Sequence, residues 1–508
     1  MRAGFGRLAA VLLLAAAVMA AAAPAQARWL RAESPRFIVY SDGDERTLRD
    51  QVQRLETFDR LLRGLHGLPM DGVPPRKLPI YLVGSQDELR DIYPAAPEGT
   101  AGFYAGASEE IFAVALRVRR QDYVLWHEYT HHFMAQHFPH PYPTWVFEGY
   151  AEYFMTTEID ERHVTYGAPS QGRGSWLLNA RWLPIEEFLT RPRWEYADRE
   201  DSQLYYAQAW LLTHWFMSDP ERRARFVAYM TEVGQGGDPA EAMVRAAGMP
   251  LAALERTLRT YVRGGLAYAR LDAAQFPPVE VTVTRLAVPT DDLVRLNQRV
   301  KMGVAEDLRD DTVAAVRRAA ARHPDDPFAL LVLGHAELHM GDRAAGEALL
   351  ERLVEMQPDH VEALQLLASA RMAEAEELEG AERAQRLNEA NRLLLRALEA
   401  DPDHYNTYFM LARNRSHAPD YPTEADMDLW FAAYELAPQL PGIRLGAGRA
   451  LMLAGRFDEA ETVLGVLAND PHRRETAAAA AALLELARQG LPPPPEPEAN
   501  AGEEAEDG

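Results

Sequence analysis

Five prolines, Pro324, Pro358, Pro402, Pro438 and Pro471, punctuate the C-terminal part of this 508-residue chain at intervals of 34, 44, 36 and 33 residues. From about Asp292 onward the sequence between them is Ala, Leu, Glu and Arg at helical spacing. Proline has no amide proton and clashes with the preceding turn, so each one marks a helix end rather than a helix interior. A unit of this length is a helix pair, which cannot bury its apolar face alone and must stack on its neighbours. A solenoid is therefore expected here. Because one core rarely grows beyond about 250–300 residues, the preceding chain is expected to form a domain of its own.

A period near 34 residues is the tetratricopeptide length, and the internal pattern agrees with it. Leu333-Gly334 falls at the leucine-glycine position of a first helix, Gly341 at the turn and Ala348 on the second helix. Gly448, Gly455 and Ala460 repeat this at the end, with Leu367-Ala368 and Leu411-Ala412 between. The long interval holds an Ala- and Glu-rich segment, Ala373 to Gln385, that reads as lengthened helices. Residues 291–490 are thus expected to be an all-α tetratricopeptide solenoid offering a groove to a protein partner, and residues 491–508 a disordered Pro/Glu tail.

At the other end, Arg2 and Arg7 precede an apolar run from Leu8 to Ala23 and an Ala25-Gln26-Ala27 cleavage pattern. Residues 1–27 therefore read as a signal peptide, and an exported, periplasmic or secreted product is expected. No later segment reaches the roughly 20 apolar residues needed to span a bilayer, so no stable membrane span is expected in the mature chain. The net charge of −23 argues against a nucleic-acid partner. With no cysteine in the sequence, disulfides and thiolate metal sites are excluded, and any zinc must sit on histidine and carboxylate.

Residues 28–290 carry a different pattern. Phe37–Tyr40 and Leu78–Val83 read as strands, with an amphipathic helix from Leu48 to about Leu65 between them. Gly102 to Val118 reads as a Gly-containing turn followed by a strand, Ile111–Leu116, and Ile185 to about Arg270 as mostly helix. Val279–Thr284 alternates like a strand, and Pro289 to Asp292 reads as a connector. Strand, helix and two strands thus precede His127-Glu128-Tyr129-Thr130-His131. On a helix, His127 and His131 lie one turn apart on one face and can aim at a single point.

A catalytic zinc wants three protein ligands and one open position, and Glu148, beyond the His140-Pro141-Tyr142-Pro143 bend, supplies the third. Glu152 follows one turn later on the same helix, where an outer carboxylate can orient a ligating imidazole. One zinc ion per chain is expected. Trp126, Phe133, Trp145, Phe147, Tyr150, Tyr153 and Phe154 would set the site against an apolar wall, where unliganded His and Glu would be costly.

These residues, together with the W-x-x-E-G-x-A-E-Y-F run from Trp145 to Phe154, resemble the gluzincin-type zinc metallopeptidases, above all small exported bacterial members with tetratricopeptide repeats behind the peptidase. The resemblance implies a zincin-like α+β catalytic lobe with His127, His131 and Glu148 as ligands, Glu128 as general base and Glu152 as the outer carboxylate. It also implies a tyrosine donor to the oxyanion, for which Tyr206 is the first candidate and Tyr205 and Tyr166 follow. The ligand interval is shorter than in the thermolysin and aminopeptidase groups, and the G-A-M-E-N exopeptidase motif is missing. The expected activity is hydrolysis of peptide bonds in a peptide or protein substrate, by an endopeptidase rather than an aminopeptidase. His132, His137 and His140 are read as structural or solvated. Two other readings use the same residues: a non-catalytic envelope binding or assembly factor working through its repeats, and a zinc hydrolase of a non-peptide ester or amide.

Overall fold

The computed structural model describes residues 28–106, 109–117, 122–196, 198–470 and 473–495. The expected signal peptide and the tail beyond residue 495 lie outside the described residues.

The chain opens with β1 (Leu30–Glu33) and β2 (Phe37–Ser41), which alternate buried and part-buried side chains. Helix α1 (Glu45–Leu65) is capped by the Asp44 carboxylate, which accepts from the Thr47 amide, and it buries Leu48, Val52, Leu55, Phe58 and Leu62 on one stripe. β3 (Leu78–Val83), α2 (Gln86–Ile92), β4 (Gly102–Gly106) and β5 (Ile111–Leu116) follow. The six-stranded sheet runs β4-β5-β3-β2-β1-β9, where β9 is Thr282–Arg285. It is mixed: β2, β3 and β5 are parallel, while β4, β1 and β9 pair antiparallel. The edge strand β4 lies in the stretch read as a Gly-containing turn, because its two glycines hide a short Phe-Tyr-Ala strand.

Helices α3 (Tyr123–His137) and α4 (Thr144–Phe154) come next, then β6 (Glu158–Ile159) and β7 (His163–Tyr166). Helices α5 (Gln171–Asn179), α6 (Ile185–Thr190), α7 (Arg199–Met217), α8 (Pro220–Gly234), α9 (Pro239–Ala247) and α10 (Leu251–Tyr261) form a second layer. β8 (Ala269–Asp272) completes a small antiparallel sheet, β6-β7-β8, that the sequence pattern did not announce. The connector expected at Pro289–Asp292 is instead the first turn of α11 (Val288–Lys301). Proline is accepted there because the first-turn amides have no intrahelical acceptor. Helix α11 touches α2 on one side and, on the other, α12 (Arg309–Ala320) and α13 (Pro327–Met340), so it belongs to both parts of the chain.

The rest is helical hairpins: α13 with α14 (Arg343–Met356), α15 (Val361–Glu376) with α16 (Gly380–Ala400), α17 (Tyr405–Arg415) with α18 (Glu424–Leu436), α19 (Pro441–Leu453) with α20 (Phe457–Ala468), and a closing α21 (Arg474–Arg488). Each of the five punctuating prolines stands three residues before a helix start, at Pro327, Val361, Tyr405, Pro441 and Arg474. The long interval is taken up by the extended α16. The first hairpin closes on glycine: a Cβ on Gly346 would stand 2.6 Å from the Leu338 amide nitrogen and 2.9 Å from the Gly334 carbonyl.

The hairpins lean on the N-terminal lobe. Arg76 pairs with Asp401 at 2.7 Å, and the Lys301 ammonium bridges Glu110 at 3.1 Å and Glu362 at 3.0 Å. One continuous apolar cluster runs from Phe58 and Trp126 under the sheet to Phe409, Leu440 and Leu464 in the repeats. None of the helices among the described residues is long and apolar enough to cross a membrane.

Candidate metal centre

Helix α3 is fixed from behind before it presents anything in front. Tyr129 donates its hydroxyl to Asp59 at 2.6 Å, and Asp59 also takes Arg36 Nε at 2.6 Å and Arg63 Nε at 2.8 Å, all buried under α1. The face one residue round the helix carries His127 and His131. Their Nε2 atoms stand 3.1 Å apart, and Glu148 Oε2 on α4 lies 3.4 Å from the first and 3.6 Å from the second.

Three donors held 2.0–2.1 Å from one tetrahedral centre stand about 3.3 Å apart. The observed triangle brackets that value. Its donor set, two imidazoles and a carboxylate with Glu148 fully buried, suits a borderline cation such as zinc. Without a cation or a shared proton, three lone-pair atoms so close would repel.

Glu152, 1% exposed, meets the other side of His127, with Oε1 3.5 Å from Nδ1. It is held in turn by Arg173 on α5, whose Nε and Nη2 donate to its two oxygens at 2.6 and 2.7 Å. Arg173 also reaches Gln203 at 2.7 Å. This bidentate clamp fixes the Glu152 carboxylate beside the His127 imidazole. Arg173→Met is expected to weaken zinc affinity by about 10- to 100-fold without removing a ligand, measured by competition with a chelator of known affinity.

Helix α4 reaches the triangle because Gly149 lets it lie directly on α7. A Cβ there would stand 2.6 Å from the Ala209 carbonyl and meet the Thr213 hydroxyl. Gly149→Ala is expected to cost about 1–3 kcal/mol through overpacking and to shift Glu148 off the triangle. Urea unfolding and metal analysis of the same sample would read both effects.

Burial pulls the His127 pKa down, but the Glu148 hydrogen bond and the charges of Glu152, Glu128 and Glu148 outweigh it and hold the metal-free imidazole at about 9. Below that pH His127 is protonated, and a metal must displace the proton. Zinc affinity is therefore expected to rise with pH up to about 9, with about one proton released from His127 per metal near pH 7. Calorimetry in buffers of different ionisation enthalpy would count it.

Tyr206, on α7, has its ring 6.3 Å from that of His127 and lies between the guanidinium groups of Arg173 and Arg193, at 5.1 and 5.2 Å. Burial and the Glu148 charge push its pKa up, so the phenol keeps its proton and remains a donor. The other two tyrosines stand elsewhere. Tyr205 is wholly buried with its hydroxyl on Thr144, and Tyr166 stacks on Phe154. Glu128 is half-buried beside His127.

None of the neighbouring histidines joins the triangle. His132 Nδ1 meets the Tyr104 hydroxyl at 3.1 Å, and burial lowers its pKa to about 3. His137 faces Arg63 with its pKa lowered to about 4, first by burial and then by that charge. His140 is exposed. Arg173 and Arg193 give no sign of themselves in the sequence, since a lone arginine outside the two helices of the triangle carries no motif.

No family model matches the chain, and no curated relative does. Among solved structures, a thermophilic TPR protein from Thermus thermophilus is 22% identical over 35% of this chain and 91% of its own, with a TM-score of 0.32. MamA is 20% identical over 34% of this chain and 95% of its own, with a TM-score of 0.24. The C-terminal part of the chain is an all-α stack of helix hairpins, by the hairpin order and the close Gly334–Gly346 crossing.

Proposed function

We propose that the protein is an exported zinc-dependent peptidase of the gluzincin type, with a zincin-like lobe and repeats that recruit a protein substrate or partner. The observation that carries this reading is the donor triangle of 3.1, 3.4 and 3.6 Å with a clamped carboxylate behind His127. His127, His131 and Glu148 would hold the ion, and Glu152 and Arg173 would keep the first imidazole in its working tautomer.

A zinc ion bound there supplies Lewis acidity to a scissile carbonyl and brings the pKa of a coordinated water to about 7. Glu128 takes a proton from the attacking water on its carboxylate and returns it to the leaving amine. Tyr206 donates its phenolic hydrogen to the oxygen on which charge develops. Trp126, Trp145 and Phe154, all nearly or fully buried, back the two zinc helices with an apolar wall.

Metal analysis of the folded chain after zinc-replete preparation, paired with mass spectrometry of a peptide library incubated with metal-loaded and metal-stripped protein, tests the proposal. Bound zinc and new termini only in the loaded sample are expected. A folded chain that retains no zinc would sink the reading.

A further inference from the structure

A second cluster of metal-binding side chains, sharing no residue with the first triangle, sits where the lobe meets the repeats. Glu109 lies in the turn between β4 and β5, while His335 and His339 stand one turn apart on α13. One ligand atom from each comes within 4.8 Å of both others. His335 Nε2 is 3.1 Å from Glu109 Oε1, and the two imidazole rings are 5.1 Å apart at 73°, against 4.7 Å and 85° for His127 and His131.

A plain hydrogen bond between His335 and Glu109 would account for one contact only. It leaves unexplained why a ligand atom of His339 comes to the same place, and why Glu109 Oε2 is buried without a hydrogen-bond partner. The nearby Lys301 ammonium is already shared between Glu110 and Glu362. Glu109 and His339 border a cavity of about 330 Å³ between lobe and repeats, which leaves an ion here a side open to water.

We propose that Glu109, His335 and His339 form a second cation site, specific for a zinc-class divalent transition metal, that clasps the N-terminal lobe to the first helix hairpin. Two imidazoles and one carboxylate select zinc, cobalt or nickel over magnesium and calcium, which prefer all-oxygen cages. The ion joins two elements far apart in the chain, so it crosslinks the lobe to the solenoid much as a structural zinc staples a small fold. The site shares no residue with the His127, His131 and Glu148 triangle, so it does not rest on the peptidase reading.

Equilibrium dialysis of the full chain against zinc, followed by metal analysis, tests the site. His339→Gln and Glu109→Gln are each expected to lower the count by one ion per chain, whatever the His127 site holds. Zinc is also expected to slow proteolysis between lobe and repeats in wild type but not in His339→Gln. Equal zinc counts in wild type and both folded variants would overturn the proposal. Should the variants not fold, cobalt titration of His131→Gln, which removes a ligand of the other triangle only, decides: one bound cobalt per chain is expected, and none overturns the site.

Discussion

On the proposed peptidase reading, replacing Glu128 with glutamine is expected to lower kcat by about 10²- to 10⁴-fold, the range over which a positioned general base contributes, with zinc binding retained. Glutamine preserves the shape of the side chain and removes only the ability to accept a proton. Glu128 is not among the three donors at 3.1–3.6 Å, so the triangle of His127, His131 and Glu148 should survive the change. The loss corresponds to about 3–5 kcal/mol of transition-state stabilisation, so it should appear in kcat rather than in KM. The acidic limb of the pH–rate profile should disappear with the titrating carboxylate. Unchanged turnover with zinc retained would assign the base to another residue. Lost zinc would place Glu128 among the ligands.

What could be read from the residues, and what could not, follows from the range of each interaction. His127 and His131 are one helical turn apart, as are Glu148 and Glu152, so helix periodicity alone groups them in two pairs. The bend at His140–Pro143 then has only one short path to bring the pairs together. Arg173 lacks such a signal, because it reaches Glu152 from a short helix whose sequence has no distinguishing pattern. The edge strand β4 is disguised by Gly102 and Gly106, since glycine is poor in strands by propensity and is tolerated here by pairing to β5. Pro289 reads as a break and is a helix start, because the same residue is excluded from helix interiors and favoured in the first turn. Five prolines each set three residues ahead of a helix were legible for the converse reason: a short-range rule was repeated. Glu109 and the pair His335 and His339 share no local pattern, and only the docking of lobe on repeats unites them.

The placement of α3 in the lobe depends on its rear as much as on its front, which makes Asp59 the residue whose loss should cost most in stability. Asp59 is fully buried and receives Arg36, Arg63 and the Tyr129 hydroxyl at 2.6–2.8 Å. Breaking a buried ion pair from one side costs about 3–5 kcal/mol, mostly because the surviving charge is left unsolvated. In Asp59→Ala, Arg36 keeps Glu56, which holds both its backbone amide and its Nη1, so its share of the loss is partly spared. Among the described residues Arg63 retains only the His137 ring at 3.2 Å, a poor counter-charge because that histidine is itself near a cation and buried. The expected loss is therefore about 3 kcal/mol, the lower end of the range. Read by urea unfolding, it should appear as a lower midpoint with an unchanged slope. Tyr129 sits between His127 and His131, so freeing its hydroxyl also loosens the helix that aims both imidazoles. Zinc affinity should fall with stability, and Asp59→Asn, which can still accept from Tyr129, should recover part of both. A midpoint equivalent to less than about 1 kcal/mol of loss would mean that the cluster is solvated through α1, and the aim of the two imidazoles would then have to be set by α4 and the Gly149 crossing alone.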